Sequence, residues 1–298
     1  MAPHPHDFLS PNPPKGGQRK LSDLKVPLGG FRGSKAKDLG GKTLGNLGTL
    51  GTFYYFCTMN LIVDIGNTST KLAVFEGKKR LSLSRINELS CEELEKELRG
   101  FKIRQAIVSS VKKLPPLISD LFFSNIPFVH VLSHKSALPF KIEYDTPETL
   151  GSDRIAAVAG AFNLFPGAEV LVIDAGTALT FDFLSSDIYK GGNISPGLNM
   201  RFRALNKFTN RLPLVSLSES FSFPGRNTAD AITAGVITGV TYEINEYIRT
   251  FENKHTDFKV ILAGGDSEFL KDKINHSITY MPDIVIDGLN YILEYNAK

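Results

Sequence analysis

Leu61 to Lys71 reads LIVDIGNTSTK, and the residues around it take their meaning from this stretch. The apolar run Leu61-Ile62-Val63 ends at Asp64, Gly66-Asn67-Thr68 interrupts it, and an apolar segment resumes from Lys71 to Phe75. That pattern predicts a strand, a tight turn and a returning strand. With no bulky side chain at the tip, the backbone N–H groups of the turn can approach and bind an anion. Thr68, Ser69 and Thr70 add hydroxyls, and Lys71 adds a point charge suited to phosphate. Asp64, at the strand end, is placed to hold a hydrated Mg²⁺. An ordinary hairpin turn would read the same way, so the inference needs a second observation.

The chain supplies one. Val170 to Gly176 reads VLVIDAG, followed by Thr177-Ala178 and a second apolar segment from Leu179 to Leu184. The order of strand, Asp, Gly, Thr and strand is the same as at Leu61. A repeat at this spacing implies two similar α/β lobes, not a solenoid of small units. Two such turns facing one cleft would set two carboxylates and two backbone nests around one polyphosphate.

Between the repeats, the predicted elements alternate. Arg80 to Ile86 reads as a half-exposed strand, and Ser90 with Glu93 as a capping box opening a helix that ends at Gly100. Gln105 to Val111 is a buried strand, Pro115 and Pro116 start a helix, and Pro127 to Leu132 is another strand. Residues 134–150 are expected to be a loop carrying Tyr144. Gly151-Ser152-Asp153-Arg154 then opens an Ala-rich helix, with Asp153 and Arg154 at the end that favours an anion. Asp153 as a plain helix cap beside a surface Arg154 is the alternative. Tyr189 to Gly197 (YKGGNISPG) is expected to be a Gly/Pro loop feeding a helix through Met200, Phe202 and Leu205. A long helix after Gly225-Arg226-Asn227-Thr228 carries Ala231, Ala234, Gly235 and Gly239, which suit either packing inside the chain or a subunit interface. Val260 to Ala263 is a strand ending in Gly264-Gly265-Asp266, and Pro282 to Asn296 supplies a final helix.

Composition bounds the rest. The 298 residues carry a net charge of +3. Residues 1–58 hold 8 Lys/Arg against 3 acids, which leaves 59–298 at −2 and gives no electrostatic case for nucleic acid. The first 58 residues also contain 10 Gly and 6 Pro and no sustained apolar period, so they are expected to be a disordered leader or a misassigned start, with the fold beginning at Met59. The expected lobes are 59–150 and 151–298. Cys57 and Cys91 give neither a disulfide framework nor metal spacing, which fits a soluble cytoplasmic protein with no membrane span.

Taken together, DIGNTSTK at 64–71, GSDR at 151–154, DAGTALT at 174–180, GGNISPGL at 191–198, GRNTADAI at 225–232 and AGG at 263–265 resemble the type III pantothenate kinases. The resemblance covers 59–298. It implies the two-lobed ribonuclease H-like (actin-like) fold of the acetate and sugar kinase, heat-shock and actin superfamily, each lobe a mixed sheet with flanking helices. It further implies ATP-dependent phosphorylation of pantothenate to 4′-phosphopantothenate, the first step of coenzyme A biosynthesis. By the same resemblance, Asp64, Ile65, Gly66, Asn67, Thr68, Ser69, Thr70 and Lys71 cradle the ATP phosphates, and Thr177 also contacts ATP. Asp153 is the general base, and Tyr144 with Gly151, Ser152, Asp153 and Arg154 holds pantothenate. Asp174 ligates a monovalent cation (K⁺ or NH₄⁺) alongside Mg²⁺, and Thr228 reaches pantothenate across a homodimer interface. A kinase for another small hydroxylated acid or sugar, and a non-enzymatic transcriptional accessory factor, are the alternatives.

Overall fold

The computed structural model describes residues 59–87, 89–112 and 116–297. The expected leader at 1–58 and the role of Pro115 at a helix start lie outside these residues.

The first half begins with strands β1 (Met59–Ile65), β2 (Thr70–Glu76) and β3 (Lys79–Ile86). Helix α1 (Cys91–Glu97), β4 (Ile103–Ser110), α2 (Pro116–Asn125) and β5 (Phe128–Val131) follow. The Ser90 hydroxyl accepts from the Glu93 N–H, so one arm of the expected capping box is present. A two-residue strand, β6 (Lys141–Ile142), precedes α3 (Ser152–Leu164). The second half runs β7 (Glu169–Ala175), β8 (Ala178–Ser185), β9 (Ile188–Pro196), α4 (Leu198–Phe208) and α5 (Thr228–Glu252). It closes with β10 (Lys259–Ala263), the short α6 (Ser267–Leu270), β11 (Thr279–Tyr280) and α7 (Ile284–Asn296).

The first sheet has the order β3-β2-β1-β4-β5, and the second β11-β10-β7-β8-β9-β6. Pairing is antiparallel along β1-β2-β3 and β7-β8-β9, and parallel along β1-β4-β5 and β7-β10-β11. The two sheets therefore repeat one topology, as the duplicated hairpin implies, and it is the ribonuclease H-like arrangement that the family resemblance implies. The chain enters the second sheet before residue 150, because β6 pairs parallel to β9 at its edge.

Strand alternation sorts the core into layers. Leu61, Val63 and Ile65 of β1 pack outward with Leu94 of α1 and Phe122 of α2. Leu171, Ile173 and Ala175 of β7 pack outward against Phe202 of α4 and Val240 and Ile244 of α5. Ile62, Val170 and Val172 face inward, onto α3 and α7. Both helices thus lie between the sheets, and their small residues let them touch backbone to backbone. A Cβ added at Gly288 would overlap Ala156 O and come within 2.7 Å of Gly160 N.

Two expectations need correction. Tyr189 to Gly197 is not a loop: most of it is β9, paired with β8 through Ser195 and Pro196. The glycines that suggested a loop are there because β9 runs against filled space. A Cβ at Gly192 would overlap Phe181 O, and Gly191 sits at φ +93°. Residues 134–150 also contain β6 and a 3₁₀ turn at Pro147–Thr149.

Candidate active site

The same alternation decides which polar side chains share the inner layer. Asp64 follows Ile62 on one face of β1, and Asp174 follows Val172 on one face of β7, so both carboxylates point towards the helix layer. Lys71 shares a face with Ala73 and Phe75 and points there too. Asp64 and Asp174 sit at the C-terminal ends of β1 and β7, the usual location of a ligand crevice in such sheets, and Lys71 lies opposite Asp64 at the start of β2. Helix α3 starts at the same place, with the Ser152 hydroxyl 3.0 Å from that of Ser109 at the end of β4.

The turns meet. Thr68 Oγ1 and Thr177 Oγ1 are 3.0 Å apart, so the two hairpin tips close over one volume. In the first turn Gly66 N–H donates to Ser69 O at 3.1 Å. Asn67 and Thr68 are exposed, while Ile65 and Thr70 are buried and only their backbones border the turn. In the second turn Gly176 N–H donates to Ala178 O, and Gly197 N–H donates to Thr177 O. The Gly264-Gly265 pair closes one side. Gly264 has φ +91°, and a Cβ there would come within 2.6 Å of Ala175 C and overlap Asp174 Oδ1. Gly265 faces open space.

Charge is concentrated here. Burial pushes Asp64 up from 3.8 to about 6, opposed by Lys71 and a hydrogen bond from Ser109 and reinforced by Asp153. Burial also pushes Asp174 up from 3.8 to about 7; Lys71 opposes it, and Asp153, Asp182 and Asp64 reinforce it. Three aspartates from two strands and a helix start therefore repel one another around one ammonium, an arrangement that attracts cations. Asp153 lies in the first turn of α3 and accepts from the Arg154 N–H at 2.9 Å. The alternative of Asp153 as a helix cap is not met, because Gly151 is the N-cap and no side chain caps it.

Raised carboxyl pKa values have a consequence for stability. The folded chain holds these protons more tightly than the unfolded chain, so the contribution is complete below pH 3.8 and is lost as pH rises to about 7. Asp174→Asn is therefore expected to raise the thermal midpoint at pH 8 and to leave it unchanged near pH 4. Allowing for screening by the open cleft, the gain at pH 8 is on the order of 1–2 kcal/mol. Equal midpoints for the two proteins at pH 8 would contradict a buried charge at this position.

Several participants were not legible in the sequence. Lys112 donates to Asn67 O at 2.8 Å and braces the first turn. Asp283, just before α7, faces Lys71 at 3.5 Å, Arg85 at 3.2 Å and Arg80 at 3.4 Å. Arg154 is not an open receiver of anions: it is 5% exposed and donates from Nε to Asp182 Oδ1 at 2.8 Å. Tyr144 lies beside it, its ring stacked on Tyr189 at 6.3 Å. Thr228 is elsewhere. It starts α5 on the outer side of the second sheet, beside a cavity of about 860 Å³ lined by Arg201, Leu205, Arg226 and Ala231 among others. Within one chain the structure does not bring Thr228 to Asp153.

Comparison with known proteins agrees with this geometry. A family model described as type III pantothenate kinase matches residues 60–250. A type III pantothenate kinase of Christiangramia forsetii is 41% identical over 243 residues, spanning 80% of this chain and 99% of that protein. One from Bacteroides fragilis is 43% identical over 240 residues, spanning 80% and 98%. A solved structure from Campylobacter jejuni, described as a conserved Baf family transcriptional activator, superposes with a TM-score of 0.51. It is 24% identical and spans 80% of this chain and 98% of its own, so it speaks to the fold alone.

Proposed function

This chain belongs to the type III pantothenate kinase family, and from that premise we propose that it transfers the γ-phosphoryl group of ATP to pantothenate with Asp153 as general base. The observation that carries the reading is the meeting of the Thr68 and Thr177 hydroxyls, which brings the tips of the two hairpins together.

Phosphoryl transfer needs positioning and charge neutralisation more than covalent help. The backbone of residues 65–69, with the Thr68, Thr177 and Lys71 side chains, supplies donors for the phosphates. The open face at Gly265 gives the adenosine ring a surface without side chains. Asp153 at the start of α3 takes the proton of the pantothenate hydroxyl as the new bond to phosphorus forms. Tyr144 and the Gly151–Arg154 segment hold the rest of pantothenate, whose carboxylate suits the helix N-terminus.

The acidic cluster fits cations. Asp64 and Asp174 are both raised by burial and mutual repulsion, which a bound cation relieves. Among the described residues no group of three His, Cys, Asp or Glu forms a metal cage. Asp64 would hold Mg²⁺, and Asp174 would hold a K⁺ or NH₄⁺. Such ions stabilise the charge of the transferring group.

A homodimer would place Thr228 of one copy beside the pantothenate of the other. A Cβ added at Gly235 or Gly239 on α5 would meet nothing within 4 Å, and Phe208, Leu214 and Phe223, in the stretch that leads from α4 to α5, are exposed, which supports a second copy on this face. No helix among the described residues is long and apolar enough to cross a membrane, and we take the reaction to be cytoplasmic.

The test is phosphate transfer from ATP to pantothenate by the full chain with Mg²⁺, with and without K⁺ or NH₄⁺, on a sample whose sedimentation is recorded. Transfer that depends on the monovalent ion, from a dimer, is the expected result. Transfer to a sugar but not to pantothenate would move the assignment to another acceptor within the fold.

A further inference from the structure

The GGNISPG segment belongs to the motif set shared with the family, yet none of its side chains is assigned to a substrate. In the structure this segment, with Tyr189 ahead of it, backs the side chains assigned to pantothenate. Tyr189 is 1% exposed and donates its hydroxyl to Asp182 Oδ1 at 2.7 Å. The same oxygen faces Arg154, with Nε at 2.8 Å and Nη2 at 2.6 Å. On its other side the Tyr189 ring stacks on Tyr144, the planes 21° apart. Gly191 presents its backbone to Tyr144, where a Cβ would lie 3.5 Å from the ring. Gly192 does the same for Arg154 and Asp182, where a Cβ would lie 2.8 Å from Nη2 and 2.8 Å from Oδ1. The glycines leave room for the two side chains, and Tyr189 fixes both.

We infer that Tyr189 is a positioning residue for the acceptor substrate, orienting Arg154 through Asp182 and Tyr144 through ring stacking. This rests on the reading that Tyr144 and residues 151–154 hold pantothenate. Arg154 stays charged in this setting: burial works against its charge, but the bonds to Asp182 outweigh that and raise its pKa. Burial and the Asp182 charge push the Tyr189 phenol up, so it remains a donor. A guanidinium held on one edge by a buried carboxylate cannot swing, so the start of α3 is fixed relative to β8 and β9. The substrate class this wall would serve is the small hydroxylated acid of the proposed reaction, not the nucleotide, whose proposed cradle is on the hairpin turns.

The experiment is steady-state kinetics of the full chain carrying Tyr189→Phe, which keeps the ring and removes one hydroxyl. The pantothenate KM is expected to rise about tenfold, the scale of one lost hydrogen bond to a charged group, while the ATP KM stays within about twofold. Adding Tyr189→Phe to Asp182→Asn is expected to do no further harm, because both act along one chain of bonds. If Asp182→Asn is not recovered folded, the split between the two KM values decides alone. Parallel rises in both KM values, or no change in either, would overturn the inference. Tyr144→Ala separates the two levels. A raised pantothenate KM there beside an unchanged one in Tyr189→Phe removes the inference only. An unchanged pantothenate KM in Tyr144→Ala removes the substrate reading and the inference with it.

Discussion

Asp153→Asn is expected to lower kcat by about 10³–10⁴, the scale seen when a catalytic carboxylate is removed, while ATP still binds. The amide keeps the size of the side chain and can still accept from the Arg154 N–H, so the first turn of α3 keeps its geometry. What it would lose is the proposed ability to take a proton from the acceptor hydroxyl. A second readout follows from electrostatics. Asp153 helps to raise both Asp64 and Asp174, so its neutralisation should lower both carboxyl pKa values. Calorimetric ATP binding together with turnover checks the first point, and carboxyl titration by NMR checks the second. Turnover within tenfold of the parent would remove Asp153 from the mechanism.

The largest effect on stability is expected from Gly288→Ala. A Cβ at this position of α7 would overlap Ala156 O and come within 2.9 Å of Ala156 C, which is helix backbone and cannot step aside. The two helices must separate, and each has a sheet packed behind it. A loss of about 3 kcal/mol, the upper end of what overpacking ordinarily costs, follows at such a backbone contact and is a large part of a domain's stability of about 5–15 kcal/mol. Denaturant unfolding measures it. A change under about 1 kcal/mol would mean that the helices are not held at this spacing.

The hairpins at Asp64 and Asp174 were readable because apolar alternation and a Gly-containing turn are local signals. Their repetition then implied two lobes. The layering of α3 and α7 between the sheets was not readable, since nothing local marks which helix returns to which sheet. β9 was misread because Gly191, Gly192 and Pro196 carry the marks of a loop. The glycines answer to neighbours distant in sequence, Phe181 O and the Arg154 side chain. The central motifs of the site were visible as motifs, but their partners were not. Asp182 looks like one polar residue in an apolar strand, Asp283 like a helix cap, and Lys112 like a surface charge. Each gains its meaning from a residue of another element. Arg154 shows the reverse: its sequence position suggested an open anion receiver, and tertiary packing buried it against Asp182.

The close approach of α3 and α7 also bears on ancestry. Ser152 and Ile284 begin these helices, so Ala156 and Gly288 hold the same place, the fifth residue, in each. They meet each other, as equivalent positions do on an isologous contact between two identical subunits. Each helix also follows the last parallel strand of its own copy of the sheet topology. The chain is thus built like a symmetric dimer of half-length units whose subunits became joined end to end. The two copies differ at the equivalent place: Lys71 pairs with Asp64 in the first hairpin, whereas Thr180 pairs with Asp174 in the second.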